Sequence, residues 1–476
     1  MSAVDLSGAP TRLLAGVLAT TRFEDLPPDV AAHAQRAVID WLGSALAGSI
    51  EKPARLAQQV AAGFGASDEA TMFGGGRASA PASAFANGVA SHILELDDIH
   101  KGSTVHAAAP IIPAALAVAE REHADGRAFL AAVALGYEAA FRIGEAVNPS
   151  HYYFFHPTGT VATFGAAAAA GSLLRLNADQ MANALGSAGT QAAALWEFNA
   201  DGAMSKHLHP GKAAMNGIMA ADLARVGFTG ALRILEGERG FFRATSRSFD
   251  VSRISDGLGR RWKIGENGYK LYSCCGHTHT AVDSALDVRT RRRWNSSDVI
   301  REIADVTVET YGPGYEIVKE MNPRTAYQAK FSLAYCVAAA LVEGALGLEQ
   351  FAEERFGPHG VRDAQIAELL RRIRVIVAED LTAKYPARWP VRLTIALHSG
   401  ATECAAGDYP RGNAENPVST VELEHKFSAL VGARFGEEVA GTTLGVLHAI
   451  DRCTDVARLF ANLGRLKAAP PYAHTA

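Results

Sequence analysis

Titratable side chains concentrate in one short segment, ELDDIHKGSTVHAAAP at residues 95–110, which directly follows a run of small and apolar residues. Imidazoles and carboxylates placed together can exchange protons with a substrate near neutral pH, and a loop at a helix end can carry them into a cleft. The alternative is an acidic helix end whose side chains only cap backbone groups. The candidate residues of this segment are Glu95, Asp97, Asp98, His100, Thr104 and His106.

Two further histidine segments follow in the first half of the chain. FFHPTGTVATFG places His156 before a Pro-Thr helix start, where unpaired backbone N–H groups favour an anionic ligand. MSKHLHPGK carries Lys206 and His209 ahead of a helix predicted from Pro210 to Gly227. A lysine in a pocket can hold a carboxylate. The alternatives are a solvated lysine and a histidine that is satisfied inside an aromatic core.

Two more segments with candidate chemistry lie in the second half. YKLYSCCGHTHT carries Lys270, His277 and His279, and NPRTAYQAKFSLAYC places Tyr335 along a predicted helix. The cysteine pair lacks the two-residue spacer of a zinc knuckle, so the spacing predicts no metal site. Paired histidines for catalysis or substrate binding fit this segment better. For Tyr335, the alternative is a side chain in the helix core.

Composition limits the class of partner. The 476 residues predict two domains, and 46 Lys and Arg against 50 Asp and Glu give a formal net charge of −4. This charge offers no electrostatic footprint for nucleic acid or an anionic membrane. Five cysteines form no disulfide framework, the start of the chain does not resemble a secretory signal, and the longest small-apolar run is too short to cross a bilayer. We expect a cytoplasmic protein that acts on a small molecule.

Hydrophobic periodicity changes along the chain. Alanine-rich segments with helical spacing run from residue 10 to about residue 265, including one helix over 27–48 and another that opens at Pro113. Helical periodicity returns near the end of the chain, where the segments are expected to rejoin the first domain. This pattern predicts a packed helical domain.

A different pattern begins after about residue 270. Short segments that alternate apolar and β-branched residues predict strands at 304–310, 372–380 and 391–399, with a buried helix at 325–344 between them. The fold class is therefore mainly α with an α+β second domain. The predicted boundaries are 1–268 for the first part of the helical domain, 269–415 for the α+β domain and 416–476 for the second helical part.

Seven segments, in their order along the chain, together resemble the MmgE/PrpD family. They are ELDDIHKGSTVHAAAPIIPAALAVAE, FHPTGTVATFGAAAAAGSLLRL, ALGSAGTQAAAL, SKHLHPGKAAMNGIMAADLARVGFTG, LEGERGFF, YKLYSCCGHTHTAVDSA and NPRTAYQAKFSLAYCVAAAL. The family includes 2-methylcitrate dehydratase, cis-aconitate decarboxylase and iminodisuccinate epimerase. The resemblance covers nearly the whole chain and does not fix the substrate.

The resemblance implies a large all-helical domain built from both chain ends, a smaller α+β lid domain, and a homodimer without metal or organic cofactor. It also implies an active site at the domain boundary. By resemblance to the family's motifs, the catalytic residues are His106, His156, Lys206, His279 and Tyr335. The remaining candidates, for substrate binding, are Glu95, Asp97, Asp98, His100, Thr104, His209, Lys270 and His277.

These residue types suit proton transfer beside carboxylates, because cations neutralise an acidic substrate and stabilise the charge that develops in the reaction. Our first hypothesis is a cofactor-independent dehydratase of a 2-methylcitrate-like hydroxy-polycarboxylic acid. HAAAP and Ile99 stand where the family usually has HPS or HPG and threonine, which argues against a strict cis-aconitate decarboxylase. The alternatives are a decarboxylase or an iminodisuccinate-type epimerase of a similar di- or tricarboxylic acid, and a non-catalytic protein that binds small acids.

Overall fold

The computed structural model describes residues 8–466, and the fold is mainly α-helical with an α+β part, as predicted. The chain forms two compact units. The first unit contains the described residues of Met1–Ile93, Asp97–Asn267 and Ser419–Ala476. The second contains Leu94–Leu96 and Gly268–Val418, so Glu95 and Leu96, the first two residues of the ELDD segment, belong to it.

The helices follow the chain in three groups. In the first unit, α1–α12 are Pro10–Thr20, Pro28–Gly48, Lys52–Ala62, Ala80–Ser91, Ala108–Arg121, Gly126–Val147, Pro157–Leu173, Ala178–Gly189, Phe198–Asp201, Ser205–Arg225, Phe241–Thr245 and Ser252–Ser255. In the second unit, α13–α19 are His279–Arg292, Ser296–Glu302, Gly312–Val318, Ala326–Lys330, Leu333–Glu343, Ala364–Leu370 and Glu379–Thr382. The first unit resumes with α20–α22 at Thr420–Phe435, Glu437–His448 and Val456–Phe460.

Within residues 8–466, none of the helices combines the length and apolar character that crossing a membrane requires.

Helix α7 runs through the core of the first unit, where every residue except Ser172 is buried. Its alanine and glycine residues let the neighbouring helices come close. A Cβ atom on Gly165 would lie 2.7 Å from the carbonyl oxygen of Gly136 in α6, and one on Gly217 of α10 would lie 2.5 Å from Cβ of Ala166. Small residues therefore set the spacing of this core, because larger side chains would hold the helices apart.

A second close approach joins α4 to α10. A Cβ atom on Gly88 would lie 2.8 Å from Cα of Gly211, so the two helix backbones are almost in contact. His92 directly follows the last residue of α4, and α10 begins six residues before Gly211. The contact therefore brings His92 close to the beginning of α10.

Two helices begin before the prolines that were predicted to open them. Helix α5 begins at Ala108 and contains Pro113, and helix α10 begins at Ser205 and contains Pro210. Proline has no N–H to donate and is disfavoured inside a helix, but both prolines are buried here and tertiary packing holds the helices together. The earlier start of α10 matters for function, because it places Lys206 and His209 one turn apart on a single helix.

The first unit is not entirely helical. The strands β1, Ala70–Met72, and β2, Gly76–Ala78, form an antiparallel hairpin that the prediction of an all-helical domain did not include. The turn between them contains Gly74, and Gly74 and Gly76 have φ values of 69° and 86°. These values are accessible to glycine without steric cost. The run of three glycines at 74–76 is the sequence signal for this turn.

The second unit contains a four-stranded sheet. Its remaining strands β3–β8 are Ile303–Thr310, Phe356–Gly357, Gly360–Val361, Ile373–Val377, Val391–Leu397 and Thr402–Gly407. The sheet order is β6-β3-β7-β8, with β3 parallel to β6 and the other pairs antiparallel. Three of the strands, β3, β6 and β7, were predicted from alternating residues. In β7 the buried positions alternate with half-buried ones, which explains the pattern.

The helix predicted over 325–344 is interrupted and forms α16 and α17. Ser332 has an extended backbone, and its Oγ accepts a hydrogen bond from the Tyr335 backbone N–H at 3.1 Å. The same hydroxyl donates to the carbonyl oxygen of Glu320 at 2.6 Å. A serine that caps a helix in this way competes with continuous helical hydrogen bonding, so α17 starts anew.

Candidate active site

Three histidines of the first unit meet at the ends of three helices. His92 follows α4, His106 lies two residues before α5, and His156 directly precedes α7. The ring centroids of His92 and His106 are 4.8 Å apart, those of His92 and His156 are 5.6 Å apart, and those of His106 and His156 are 6.0 Å apart. One nitrogen from each ring lies within 4.8 Å of the other two. We call these three residues the histidine cluster.

Acidic and carbonyl oxygens orient two rings of the histidine cluster. Nδ1 of His92 lies 2.6 Å from Oδ2 of Asp97, and both side chains are buried. Nδ1 of His106 lies 2.7 Å from the carbonyl oxygen of Asp98 and 3.4 Å from Oδ2 of Asp97. Because a carbonyl oxygen only accepts hydrogen bonds, Nδ1 of His106 carries the hydrogen. In the neutral ring, Nε2 is then the atom with the lone pair.

The third ring of the cluster, His156, pairs with His209 on α10. Their Nδ1 atoms are 3.0 Å apart, so one ring donates a hydrogen bond to the other. Burial lowers the pKa of His156 well below its usual value, and the neighbouring His209 adds to the effect. Burial also lowers the pKa of His209 to about 3. Both rings are therefore neutral at neutral pH, which is consistent with a hydrogen bond between them.

A buried cation lies within electrostatic reach of these rings. Lys206 is buried on α10, one turn before His209. Burial is the largest cause that lowers the pKa values of His156 and His209, and the positive charge of Lys206 is a further cause. The N-terminal ends of α5, α7 and α10 add their positive dipole ends near His106, His156 and Lys206. This electrostatic environment suits an anionic substrate.

Asp98 holds the backbone and neighbouring side chains in place. Its contacts match the alternative in which the acidic side chains of this segment cap backbone groups. Its carboxylate accepts hydrogen bonds from the backbone N–H of Ala108 at 3.0 Å, the Tyr137 hydroxyl at 2.6 Å and the Asn267 amide at 3.0 Å. Burial raises its pKa to about 7, and the hydrogen bond from Tyr137 opposes this shift. These contacts fix the start of α5, and the assignment of Asp98 to substrate binding stays a prediction.

The structure directs His100 and Thr104 to other partners. The His100 ring stacks on Phe141 with centroids 4.0 Å apart, and its Nδ1 lies 2.9 Å from the Ser103 hydroxyl. The Thr104 hydroxyl donates to the Ser103 carbonyl oxygen at 2.7 Å and accepts from the Asn148 amide at 2.9 Å. These contacts give both residues a structural role in the 100–104 turn, and their assignment to substrate binding stays a prediction.

The remaining candidates of the second unit have partners within that unit. Glu95 and Lys270 form a buried ion pair, with 3.3 Å between Oε2 and Nζ. Nδ1 of His277 lies 2.6 Å from the Tyr311 hydroxyl, and burial lowers the pKa of His277 to about 3. Nε2 of His279 donates to a backbone carbonyl at 3.3 Å. Buried polar groups with partners of this kind fix side-chain positions.

Tyr335 lies in the apolar core of the second unit. It is 0% exposed, its ring lies against Phe351 and Phe356, and its hydroxyl donates to the carbonyl oxygen of Gln350. Burial raises its pKa above the usual value. This is the core alternative that the sequence left open. These contacts account for its position in the core, and its assignment as a catalytic residue stays a prediction.

Sequence reasoning missed two residues of this site. His92 lies within the small-apolar run before the ELDD segment, and its spacing from the other histidines matches no linear motif. The feature that could have identified it is its position five residues before Asp97, at a helix end. Trp196 was also missed, although its ring centroid is 5.0 Å from that of His156 and its Nε1 donates to the carbonyl oxygen of Phe155 at 2.9 Å.

Comparison with known proteins gives the family. Residues 12–254 match the MmgE/PrpD N-terminal domain and residues 272–449 match the MmgE/PrpD C-terminal domain. A cis-aconitate decarboxylase from Aspergillus terreus is 26% identical over 457 residues, which cover 92% of each chain. The human cis-aconitate decarboxylase is 27% identical over 411 residues, covering 83% of this chain and 82% of the human protein. The chain therefore belongs to the MmgE/PrpD family.

Proposed function

We propose that this protein is a cofactor-independent lyase that decarboxylates cis-aconitate or a similar unsaturated tricarboxylic acid. The observation that carries the proposal is the convergence of His92, His106 and His156 in one place, with the buried cation of Lys206 in electrostatic reach. The decarboxylases from Aspergillus terreus and human, each similar over most of its length, favour decarboxylation over the dehydration that we hypothesised first.

The reaction requires one proton at a defined carbon. Loss of carbon dioxide breaks the C–C bond to the CH₂-linked carboxylate, and the electron pair moves through the adjacent C=C bond. The far carbon of that double bond then takes up a proton. A positioned acid can deliver it, because proton transfer in the transition state avoids a free carbanion. The double bond thereby moves to the carbon that lost the carboxylate.

His106 is the residue that we assign to this proton transfer. Its side chain is 12% exposed, whereas those of His92 and Asp97 are fully buried, so it has the best access to a substrate and to solvent. The Asp98 carbonyl oxygen and the Asp97 carboxylate lie on the Nδ1 side of its ring and stabilise the imidazolium. Nε2 is then the atom that gives the proton, and solvent restores it.

Lys206 is assigned to the substrate's carboxylates. Its ammonium attracts them in the bound state and continues to do so while negative charge spreads over the allyl system. The N-terminal ends of α5, α7 and α10 support the same charge. A strongly anionic substrate therefore offsets the cost of keeping Lys206 buried.

Dehydration of a 2-methylcitrate-like acid is the second candidate. The sequence observation that favours it is HAAAP after residue 105, together with Ile99, where the family pattern usually has other residues. The same acid–base groups would serve, since removal of a proton and protonation of a leaving hydroxyl also require paired acid and base. The two candidates differ in which bond breaks.

NMR of the purified protein in deuterated water, after treatment with EDTA, separates these reactions. The panel contains cis-aconitate, citrate, 2-methylcitrate and iminodisuccinate. We expect cis-aconitate to lose carbon dioxide and to gain one deuterium at the former alkene CH. Loss of water from 2-methylcitrate alone would establish the second candidate instead. Deuterium exchange at a stereocentre without bond loss would indicate an epimerase, and binding without turnover would indicate a binding protein.

A further inference from the structure

We propose that the histidine cluster binds one divalent transition-metal ion of the zinc type, with His92, His106 and His156 as ligands, and that this ion inhibits the enzyme. The binding follows from the geometry of the first unit alone. Only the inhibition rests on the proposed function, because the ion would occupy the imidazole that transfers the proton.

The positions of the imidazole nitrogens carry the first step. Among residues 8–466, Nε2 of His92 and Nε2 of His156 are buried without a hydrogen-bond partner, and both side chains are at least nine-tenths buried. Buried polar atoms normally have partners, so two such atoms in one cluster can serve as ligand atoms without breaking a hydrogen bond to the protein. One nitrogen each from His92, His106 and His156 already lies within 4.8 Å of the others.

The distances are close to those of a zinc site. Zn–N bonds of about 2.0–2.1 Å in a tetrahedron place the nitrogens about 3.3 Å apart. The three nitrogens would therefore approach by up to about 1.5 Å. Rotation of the His106 side chain can supply part of this movement, because this residue lies in the segment before α5 and is partly exposed.

The opposite edges of the rings are already held. Nδ1 of His92 faces Asp97, Nδ1 of His106 faces the Asp98 carbonyl oxygen, and Nδ1 of His156 faces His209. Imidazole ligands of metals characteristically use their second nitrogen in this way, to a carboxylate, a carbonyl oxygen or another polar group. The cluster thus has both the inward atoms and the outer contacts of a three-histidine site.

Charge distinguishes this cluster from a second group of possible ligands. His100, Glu145 and Glu266 also lie close together, but Lys263 is 2.8 Å from Glu145 and Arg261 is 2.9 Å from Glu266. Those cations already neutralise the carboxylates of that group.

Two charges act on the histidine cluster in opposite directions. The Asp97 carboxylate favours a metal dication, and the Lys206 ammonium disfavours it. Removing each should therefore change metal affinity in opposite directions.

The first test uses the EDTA-treated full chain and zinc alone, without substrate. Calorimetric titration should give one bound ion per chain. X-ray absorption of the zinc-loaded protein should show three imidazole nitrogens at about 2.0 Å. Cobalt(II) should give the intense visible bands of a tetrahedral site. Absence of binding, or a coordination shell of oxygen alone, would overturn the proposal. This test uses the unaltered chain and therefore does not depend on whether a variant folds.

Variants then locate the ion. His92→Asn and His156→Asn should each lower zinc affinity by at least about 10-fold, and Asp97→Asn should lower it by about 10–100-fold. Lys206→Met should raise it, because a nearby positive charge is removed. His100→Asn is the matched control and should leave affinity unchanged. Loss of binding in His100→Asn with retention in His92→Asn would contradict the assignment.

Inhibition is measured separately, with the substrate identified by the NMR experiment. Stoichiometric zinc should abolish most turnover, and EDTA should restore it. A protein that binds zinc through the histidine cluster and keeps full turnover would refute the inhibition and leave the metal site standing. A protein that turns over its substrate and binds no zinc would refute the metal site and leave the proposed function standing.

Discussion

The carboxylate of Asp97 lies 2.6 Å from Nδ1 of His92, and both side chains are fully buried. The same oxygen, Oδ2, is 3.4 Å from Nδ1 of His106. One carboxylate therefore faces two rings of the histidine cluster. An ionised carboxylate only accepts hydrogen bonds, so Asp97 favours the tautomers that carry hydrogen on Nδ1.

Asp97→Asn should lower turnover by about 10²-fold, since an amide can donate as well as accept and no longer stabilises an imidazolium. The change should also lower the pKa seen in the pH profile of kcat, because the protonated histidine loses its nearest carboxylate. The measurement is kcat against pH for both proteins. An unaltered profile and rate would show that Asp97 serves only to hold the helix end.

His106→Ala should lower kcat by about 10²–10⁴-fold, the usual contribution of a general acid or base, with a smaller change in KM. The control is His123→Asn, because His123 is exposed and has a φ of 50°, which asparagine tolerates well. The measurement is the steady-state kinetics of both variants, with circular dichroism to check that each is folded. A folded His106→Ala protein with the wild-type rate would remove this residue from the mechanism.

Lys206→Ala should raise KM and lower kcat together. A fixed cation interacts with the substrate carboxylate in the ground state and in the transition state, so both parameters depend on it. Lys52→Ala provides a control, since Lys52 is an exposed lysine at the start of α3. If only kcat fell and KM stayed constant, Lys206 would act on the developing charge rather than on substrate binding.

Chelation should leave turnover intact, because the proposed steps need only histidine, lysine and the substrate's own carboxylates. The measurement compares the rate before and after dialysis against EDTA, with metal content determined in both samples. If zinc is carried through purification, its removal by dialysis should raise the rate, because bound zinc is expected to inhibit. A rate that disappears on dialysis and returns with one particular divalent ion would contradict this prediction.

Stability should fall in acid partly because of His151. Burial lowers the pKa of His151 to about 4, while its hydrogen bond to the Thr245 carbonyl opposes the shift. Between pH about 4 and 6.5 the unfolded chain binds the extra proton, so stability is lost as pH falls through this window, by at most about 3 kcal/mol.

The variant His151→Asn tests this linkage, because asparagine does not titrate. Urea unfolding at several pH values should show a shallower loss of stability for the variant between pH 6.5 and 4. His209 and His277 have similarly lowered pKa values, so some pH dependence should remain. Parallel curves for the two proteins would show that His151 does not contribute.

Much of the fold could be predicted from periodicity. The helix at 27–48 and the strands β3 and β7 have residues whose spacing matches the face that they bury. The prediction was wrong where one residue acted through tertiary contacts. Ser332 interrupts a helix by bonding to Glu320, and Pro210 lies inside α10 because the surrounding core holds that helix. Neither contact leaves a local signal.

The sequence by itself determined the residue types of the site, because histidines, lysine and acids stand out in an alanine-rich helical chain. It also determined the family, through motifs spread over nearly the whole chain. Only the tertiary structure decided which of these residues meet. His92 and His106 are 14 positions apart and His156 is 50 further along. They come together because glycines such as Gly88 and Gly211 let helix backbones touch, a distance that sequence spacing does not encode.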